Sequence, residues 1–311
     1  MGYLFALLSA VSWTIGTISF KKSNDVLSPH ILNLYKNLLA FFMLLIILFV
    51  CSFYTQDKFW IISNDSLILI ILSGIVGQGL ADQIYIRSLY NIGANFLSVI
   101  ASSFGVFVLF FAFLLNYVLP SIFPQQLWPP HILEIVGFFC ILIAIIYPSW
   151  DPDNYKDISL KSILIALSAF MFMGLSANLT NSAISLNQGG VLNILAIILI
   201  RYIPGIIFQF GLFFTNNISI KKITSVFSLD SNTFMYINLG SIMMSLAAIV
   251  FMIVGMDMET NNITLFTLLA QTSNIMIFIC SWLILNEKIN NKKIIGIIVS
   301  FIGIVLIVLA K

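Results

Sequence analysis

The strongest constraint on this chain is a recurrence: apolar stretches long enough to cross a bilayer follow one another along all 311 residues. A helical crossing needs about 20 consecutive, predominantly apolar residues. Ten such stretches can be marked, at about 2–20, 31–52, 66–88, 94–118, 131–148, 159–183, 190–214, 232–256, 261–285 and 291–310. Lipid offers the backbone no hydrogen-bond partner, so only helices or closed barrels span it, and runs this long and apolar predict helices. Composition agrees: 60% of residues are apolar and 8% charged, against about a quarter charged in water-soluble domains. The predicted fold class is an all-α polytopic membrane protein with ten transmembrane helices, in contact with the lipid bilayer and multi-pass in a bacterial inner (plasma) membrane.

Several function classes fall away. The net charge of +2 comes with no basic patch outside short loops, so no nucleic-acid partner is expected. Cys51, Cys140 and Cys280 lie within or at the end of predicted spans and form neither a disulfide framework nor a metal-ligand pair. No metal and no cofactor are expected. The first apolar run has no basic stretch before it and no small-residue cleavage site, so it reads as a retained helix. The motifs G-x-S-x-G, H-E-x-x-H and G-x-x-x-x-G-K are missing, and His30 and His131 stand about 100 residues apart. Gly79-Leu-Ala-Asp82 faintly resembles an intramembrane aspartyl protease, but that chemistry needs a second aspartate on a neighbouring helix. The chain is therefore not expected to be an enzyme.

Basic residues are unevenly placed. Lys21, Lys22, Lys156, Lys161, Lys221, Lys222, Lys288, Lys292 and Lys293 follow the odd-numbered spans 1, 5, 7 and 9, whereas the other side holds Lys58 and Lys311. The positive-inside rule makes the lysine-rich side cytoplasmic and leaves both termini outside. An internal repeat is also visible. Leu8-Ser9-Ala10 aligns with Leu167-Ser168-Ala169, and Glu134-Ile-Val-Gly137 with Ala144 aligns with Lys293-Ile-Ile-Gly296 with Gly303. Gly74 pairs with Gly240, and Lys36 falls within one residue of Arg201. These matches suggest two five-helix halves, 1–150 and 159–311, joined by a linker at 151–158. An odd number of spans per half makes the repeats inverted, a recurring transporter design with the site at their interface.

The tail carries a more specific signal. Trp282-Leu-Ile-Leu-Asn-Glu287-Lys ends one apolar helix in a charged turn, and Gly296, Ser300 and Gly303 follow on the next. Ser12-Trp13-Thr14-Ile15-Gly16, the stretch Phe20-Lys21-Lys22 through Ser28-Pro29 to Lys36-Asn37, and Gly79 to Leu89 add further motifs. Together they resemble EamA-type transporters of the drug/metabolite transporter superfamily. The resemblance implies a membrane carrier of small molecules, and it makes Glu287 a hallmark acid. It also places both termini of many members inside, opposite to the charge rule. Two positions depart from the family pattern. Asn116-Tyr-Val-Leu-Pro120 lacks the glutamate expected after helix 4, and the stretch around Ser103-Phe104-Gly105 lacks the usual proline. No carboxylate lies between Met1 and Phe20, so coupling through a helix 1 glutamate, as in small multidrug members, is not expected.

Charges inside a bilayer cost at least about 2.5 kcal/mol near its centre and demand a partner or a watery cavity. Lys36, Asp82, Arg87 and Arg201 are the candidates. Gln78, Asp82 and Tyr85 are spaced to share one helix face, with Asp82 either lining a site or neutralising Lys36 or Arg87. Lys36 and Arg201, approximate mates across the repeat, suit an anionic or zwitterionic substrate, while Arg87 near a span end suits snorkelling. Trp13 with Thr17, and Gln271 with Asn274, are softer candidates that can equally serve helix contacts. Trp60, Trp128 and Trp150 read as interfacial anchors. Gly137 and the Gly296, Ser300, Gly303 stripe predict close packing of helix 5 on helix 10, with Glu287 as a structural lock. The expected protein is a secondary transporter, an exporter of a small polar or amphipathic metabolite, as a monomer or homodimer. A non-transporting membrane subunit, its charges serving only helix packing, is the alternative.

Overall fold

A computed structural model describes residues 2–23, 26–54, 62–120, 132–149, 159–187, 190–215, 224–258 and 263–310. The proposed linker, Trp60, Trp128, Trp150 and His131, and lysines 58, 156, 221, 222 and 311, lie outside the described residues. The described chain is helical: α1 (Gly2–Lys22), α2 (Pro29–Tyr54), α3 (Asn64–Ile92), α4 (Ala94–Val118), α5 (Ile132–Ser149), α6 (Leu160–Ser185), α7 (Val191–Thr215), α8 (from Ser231), α9 (Ile263–Leu285) and α10 (Asn291–Leu309). Each coincides with one apolar stretch of the sequence to within a few residues. Seven of them, α1–α4 and α6–α8, are long and apolar enough to cross a membrane; α5 and α9 contain shorter apolar segments.

Polarity is distributed inside out. Phe42, Ile46, Phe49, Phe113, Leu164, Ile207 and Ile298 are exposed on the outside, while Ser12, Thr17, Asn33, Lys36, Gln78 and Gln209 are buried. A water-soluble domain hides its large apolar side chains and keeps lysine at the surface. An outer apolar wall, with polar and charged side chains enclosed among the apolar ones of the interior, is instead the arrangement that lipid favours. Polar residues cap several helix starts: Ser63 accepts from the Ser66 N–H, Asp230 from Thr233, and Asn290 from Lys293. The Thr233 N–H holds the Asp230 carboxyl below the usual carboxylate range, so this cap is complete at neutral pH and is lost as pH falls through that lowered value.

Two helices are not regular. α3 widens into a π-segment at Gly74–Ala81, and α8 does the same at Ser241–Ala247. One π-segment begins at Gly74 and the other just after Gly240, the glycines that the repeat pairs. The wide turn of α3 packs on α6 and α7, and that of α8 packs on α1 and α2. Likewise α4 packs along α6, and α9 along α1. α5 lies against α10 so closely that a Cβ on Gly137 would stand 2.6 Å from the Gly303 carbonyl oxygen, and one on Gly303 2.7 Å from the Gly137 carbonyl oxygen. Ala144 and Gly296 line one crevice further along the same pair, which makes the two helices antiparallel.

α4 is interrupted at Ser102–Ser103, where the N–H groups of both serines turn back three residues to Val99 and Ile100. A tightened turn thus breaks the regular helix here with no proline present. At its start, Gly93 takes φ +82° and its α-carbon faces the Glu287 carboxylate. A Cβ there would be strained by the backbone and crowded at 3.0 Å from Glu287 Oε1.

Candidate functional site

Lys36 on α2 and Asp82 on α3 form an ion pair at 2.5 Å, with the lysine side chain 1% and the carboxylate 15% exposed. Lys36 Nζ also donates to Asn37 Oδ1 at 3.1 Å. The π-segment explains how Asp82 comes to be there. A wide turn shifts the hydrogen-bond ladder, so the Asp82 N–H donates to the Gly77 carbonyl and leaves that of Gln78 to other donors. Three side-chain amides converge on this carbonyl: Asn33 at 3.2 Å, Asn37 at 3.2 Å and Gln209 at 2.8 Å. Side chains from α2 and α7 thus repair the disturbed helix, as buried backbone in an apolar setting requires, and tie three helices together beside the ion pair.

Arg201 on α7 is the third charge. Its Nη2 donates to Ser176 Oγ on α6 at 2.8 Å, while its Nε is buried with no hydrogen-bond partner among the described residues. Ser176 Oγ donates in turn to the Ser73 carbonyl at 2.9 Å, and the Ser73 and Thr180 hydroxyls meet at 2.5 Å. Backbone approach makes room for the guanidinium. A Cβ on Gly77 would lie 2.6 Å from Arg201 Nη2, and one on Gly74 would lie 2.2 Å from the Arg201 carbonyl oxygen. Pro204, inside α7, sits against the same glycine. The charge of Arg201 repels that of Lys36 and attracts that of Asp82.

An aromatic cluster adjoins these charges. Tyr85, one turn beyond Asp82, shares a 2.8 Å hydrogen bond with Thr17 and packs edge-on against Trp13 and Phe170 at 5.7 and 5.9 Å. The Gln78 side chain is buried, its amide without a hydrogen-bond partner among the described residues, and the Tyr202 hydroxyl donates to the Ser245 carbonyl within the α8 π-segment. Lys36, Asp82, Arg201 and Gln78 therefore meet, with Tyr85 and Trp13 beside them. Gln271 and Asn274 form a separate polar pair on α9, the Asn274 Nδ2 donating to Gln271 Oε1 at 2.9 Å. Arg87 is exposed. Ser300 donates to Ile297 of its own helix at 2.9 Å. Glu287 lies away from the charge cluster, its two carboxylate oxygens each accepting, at 2.9 Å, from the N–H groups of Ala94 and Asn95 at the start of α4.

Sequence reasoning did not pick out Tyr202, Gln209, Ser176, Ser73 or Thr180. The glycine-rich run Gly74-Ile-Val-Gly77-Gln78-Gly79 within a span was the available signal that another helix comes very close there.

A helical bundle with an apolar wall and an ion pair sealed inside belongs to the polytopic membrane proteins. Residues 1–123 match the model of the EamA-like transporter family, a family of the drug/metabolite transporter superfamily. Among solved structures, one titled only "Crystal structure of protein" superimposes with a TM-score of 0.60 at 10% identity, covering 98% of this chain and 95% of that one. Such a likeness shows a common fold. Comparison with curated protein sequences gives no match.

Proposed function

We propose that the protein is a secondary transporter with ten membrane spans in two inverted five-helix repeats, which exports a small polar or amphipathic metabolite by alternating access. The observation that carries this reading is the Lys36–Asp82–Arg201 cluster, held where the α3 π-segment of the first half meets α6 and α7 of the second. Buried charges within a membrane bundle mark substrate or ion pathways, and inverted-repeat carriers place them at the seam between halves.

Several exchanges of partners support the two halves, 1–150 and 159–311. The α3 π-segment rests on α6 and α7, and the α8 π-segment on α1 and α2; α4 pairs with α6, and α9 with α1. The repeat exchanges Gly137 with Gly296 and Ala144 with Gly303, so the contact of Gly137 with Gly303 maps onto that of Ala144 with Gly296. Helix 5 on helix 10 is thus a self-symmetric seam within one chain, and a monomer in a bacterial inner membrane suffices. In this scheme Lys36, Asp82 and Arg201 tune the pathway, while Trp13, Gln78, Tyr85, Gln271 and Asn274 line it.

Counterflow into proteoliposomes, run with labelled amino acids, sugars, nucleotides and hydrophobic amines, tests the proposal. At least one solute should exchange, and Lys36→Gln or Asp82→Asn should slow that exchange at least tenfold while the protein still melts cooperatively. Exchange of none of them by a well-folded protein would favour the subunit whose charges only pack helices, a role to which the close Lys36–Asp82 pairing is equally suited.

A further inference from the structure

We propose that Arg201 is the docking point for a substrate carboxylate, an inference that rests on the transport reading and names its substrate class. An arginine side chain stays protonated in proteins, so its charge inside an apolar bundle calls for a counter-charge. Among the described residues the ion pair is Lys36 with Asp82. The Asp82 carboxylate is hydrogen-bonded by Lys36, and among the described residues the guanidinium's hydrogen-bond partner is the neutral Ser176 hydroxyl. Two cations against one carboxylate leave the cluster with one unneutralised positive charge.

The remaining donor capacity points the same way. Ser176 is fixed by its own bond to the Ser73 carbonyl, and this holds Nη2 in place. Nε stays buried and unpartnered. A guanidinium presents its N–H groups as a planar fork that matches a carboxylate with two parallel bonds. A carboxylate brings the single negative charge that the cluster lacks, whereas a phosphate monoester at neutral pH brings nearly two. A neutral or cationic ligand would leave Arg201 uncompensated.

Thermal melts of the detergent-purified chain at constant ionic strength test this with acetate, phenylacetate and glutamate, with acetamide, phenylacetamide and glutamine as matched amides, and with phenyl phosphate and chloride. At least one acid should raise Tm saturably while its amide does not. Arg201→Gln should abolish the shift, and Arg201→Lys, which keeps the charge but loses the fork, should weaken binding at least tenfold. If Arg201→Gln does not melt cooperatively, Arg201→Lys and the acid–amide comparison in the unaltered chain decide. Equal stabilisation by an acid and its amide, a response only to phenyl phosphate or chloride, silence from all three acids, or unchanged binding in Arg201→Lys would overturn the assignment. Counterflow separates the two readings. An Arg201→Gln protein that still exchanges a neutral or cationic solute at full rate would sink the carboxylate dock and leave transport standing. A chain that binds the acid but exchanges no solute would do the reverse.

Discussion

At the scale of residues, the interior is governed by what it costs to leave a charge alone. Lys36 is almost completely enclosed, and its ammonium is matched by the Asp82 carboxylate and one amide oxygen. Removing one member of such a pair strands the other, at a typical cost of about 3–5 kcal/mol, whereas removing both is far milder. Lys36→Gln and Asp82→Asn should therefore each lower the melting temperature in detergent, and the double variant should recover more than half of the larger loss. Additive losses in a double-mutant cycle would mean that the two side chains do not depend on each other. Charges were the legible part of this site, because Lys36, Asp82 and Arg201 stand out in apolar surroundings. Their supporting partners were not. Ser73, Ser176, Thr180 and Gln209 are ordinary span residues until folding brings α3, α6 and α7 together.

At the scale of elements, helix positions followed from apolar run length, but helix irregularities did not. A π-turn alters one step of the hydrogen-bond ladder and leaves the apolar pattern nearly intact, so Gly74–Ala81 and Ser241–Ala247 look like regular helix in sequence. The tail is the opposite case, where a short motif carries a definite geometry. Asn286 adopts φ 54°, ending α9 in a left-handed residue, and the Glu287 N–H turns back to the Ser281 carbonyl. Its carboxylate then caps α4, satisfying two N–H groups that have no helical partner and opposing the positive end of the helix dipole. Glu287→Ala should destabilise the protein by about 1–2 kcal/mol, the usual cost of deleting a cap. Glu287→Gln, which retains an acceptor but no charge, should cost roughly half as much. Equal melting temperatures for all three proteins would show that α4 does not rely on this bond.

At the scale of the whole molecule, the bundle has one basic end. Lys21 donates to the Tyr90 carbonyl at the end of α3, Lys22 reaches Tyr236 near the start of α8, and Lys293 reaches Asn95 beside the Glu287 cap. Lys161, Lys288 and Lys292 lie at helix termini on this same end, whereas the described residues of the opposite end, around Ser63, Ser66 and Asn187, contain no lysine or arginine. Lysine clusters are retained on the cytoplasmic side during insertion, so the end that holds the Glu287 cap should face the cytoplasm and the end where α10 finishes should face out. An alkaline phosphatase fused after Lys311 should then be active and a green fluorescent protein dark. A fluorescent, phosphatase-inactive fusion would reverse the molecule and match the orientation described for many members of the superfamily. The outcome bears on mechanism as well as topology. The bonds of Asn95 to Glu287 and Lys288 join the start of α4 to the turn between α9 and α10 at one end of the bundle. In the proposed alternating-access scheme, opening at that end parts them, while the opposite end is joined by Asn187 to Ser63 and Ser66. In the proposed export scheme, membrane orientation therefore decides which of these two sets of bonds has to part on the cytoplasmic side.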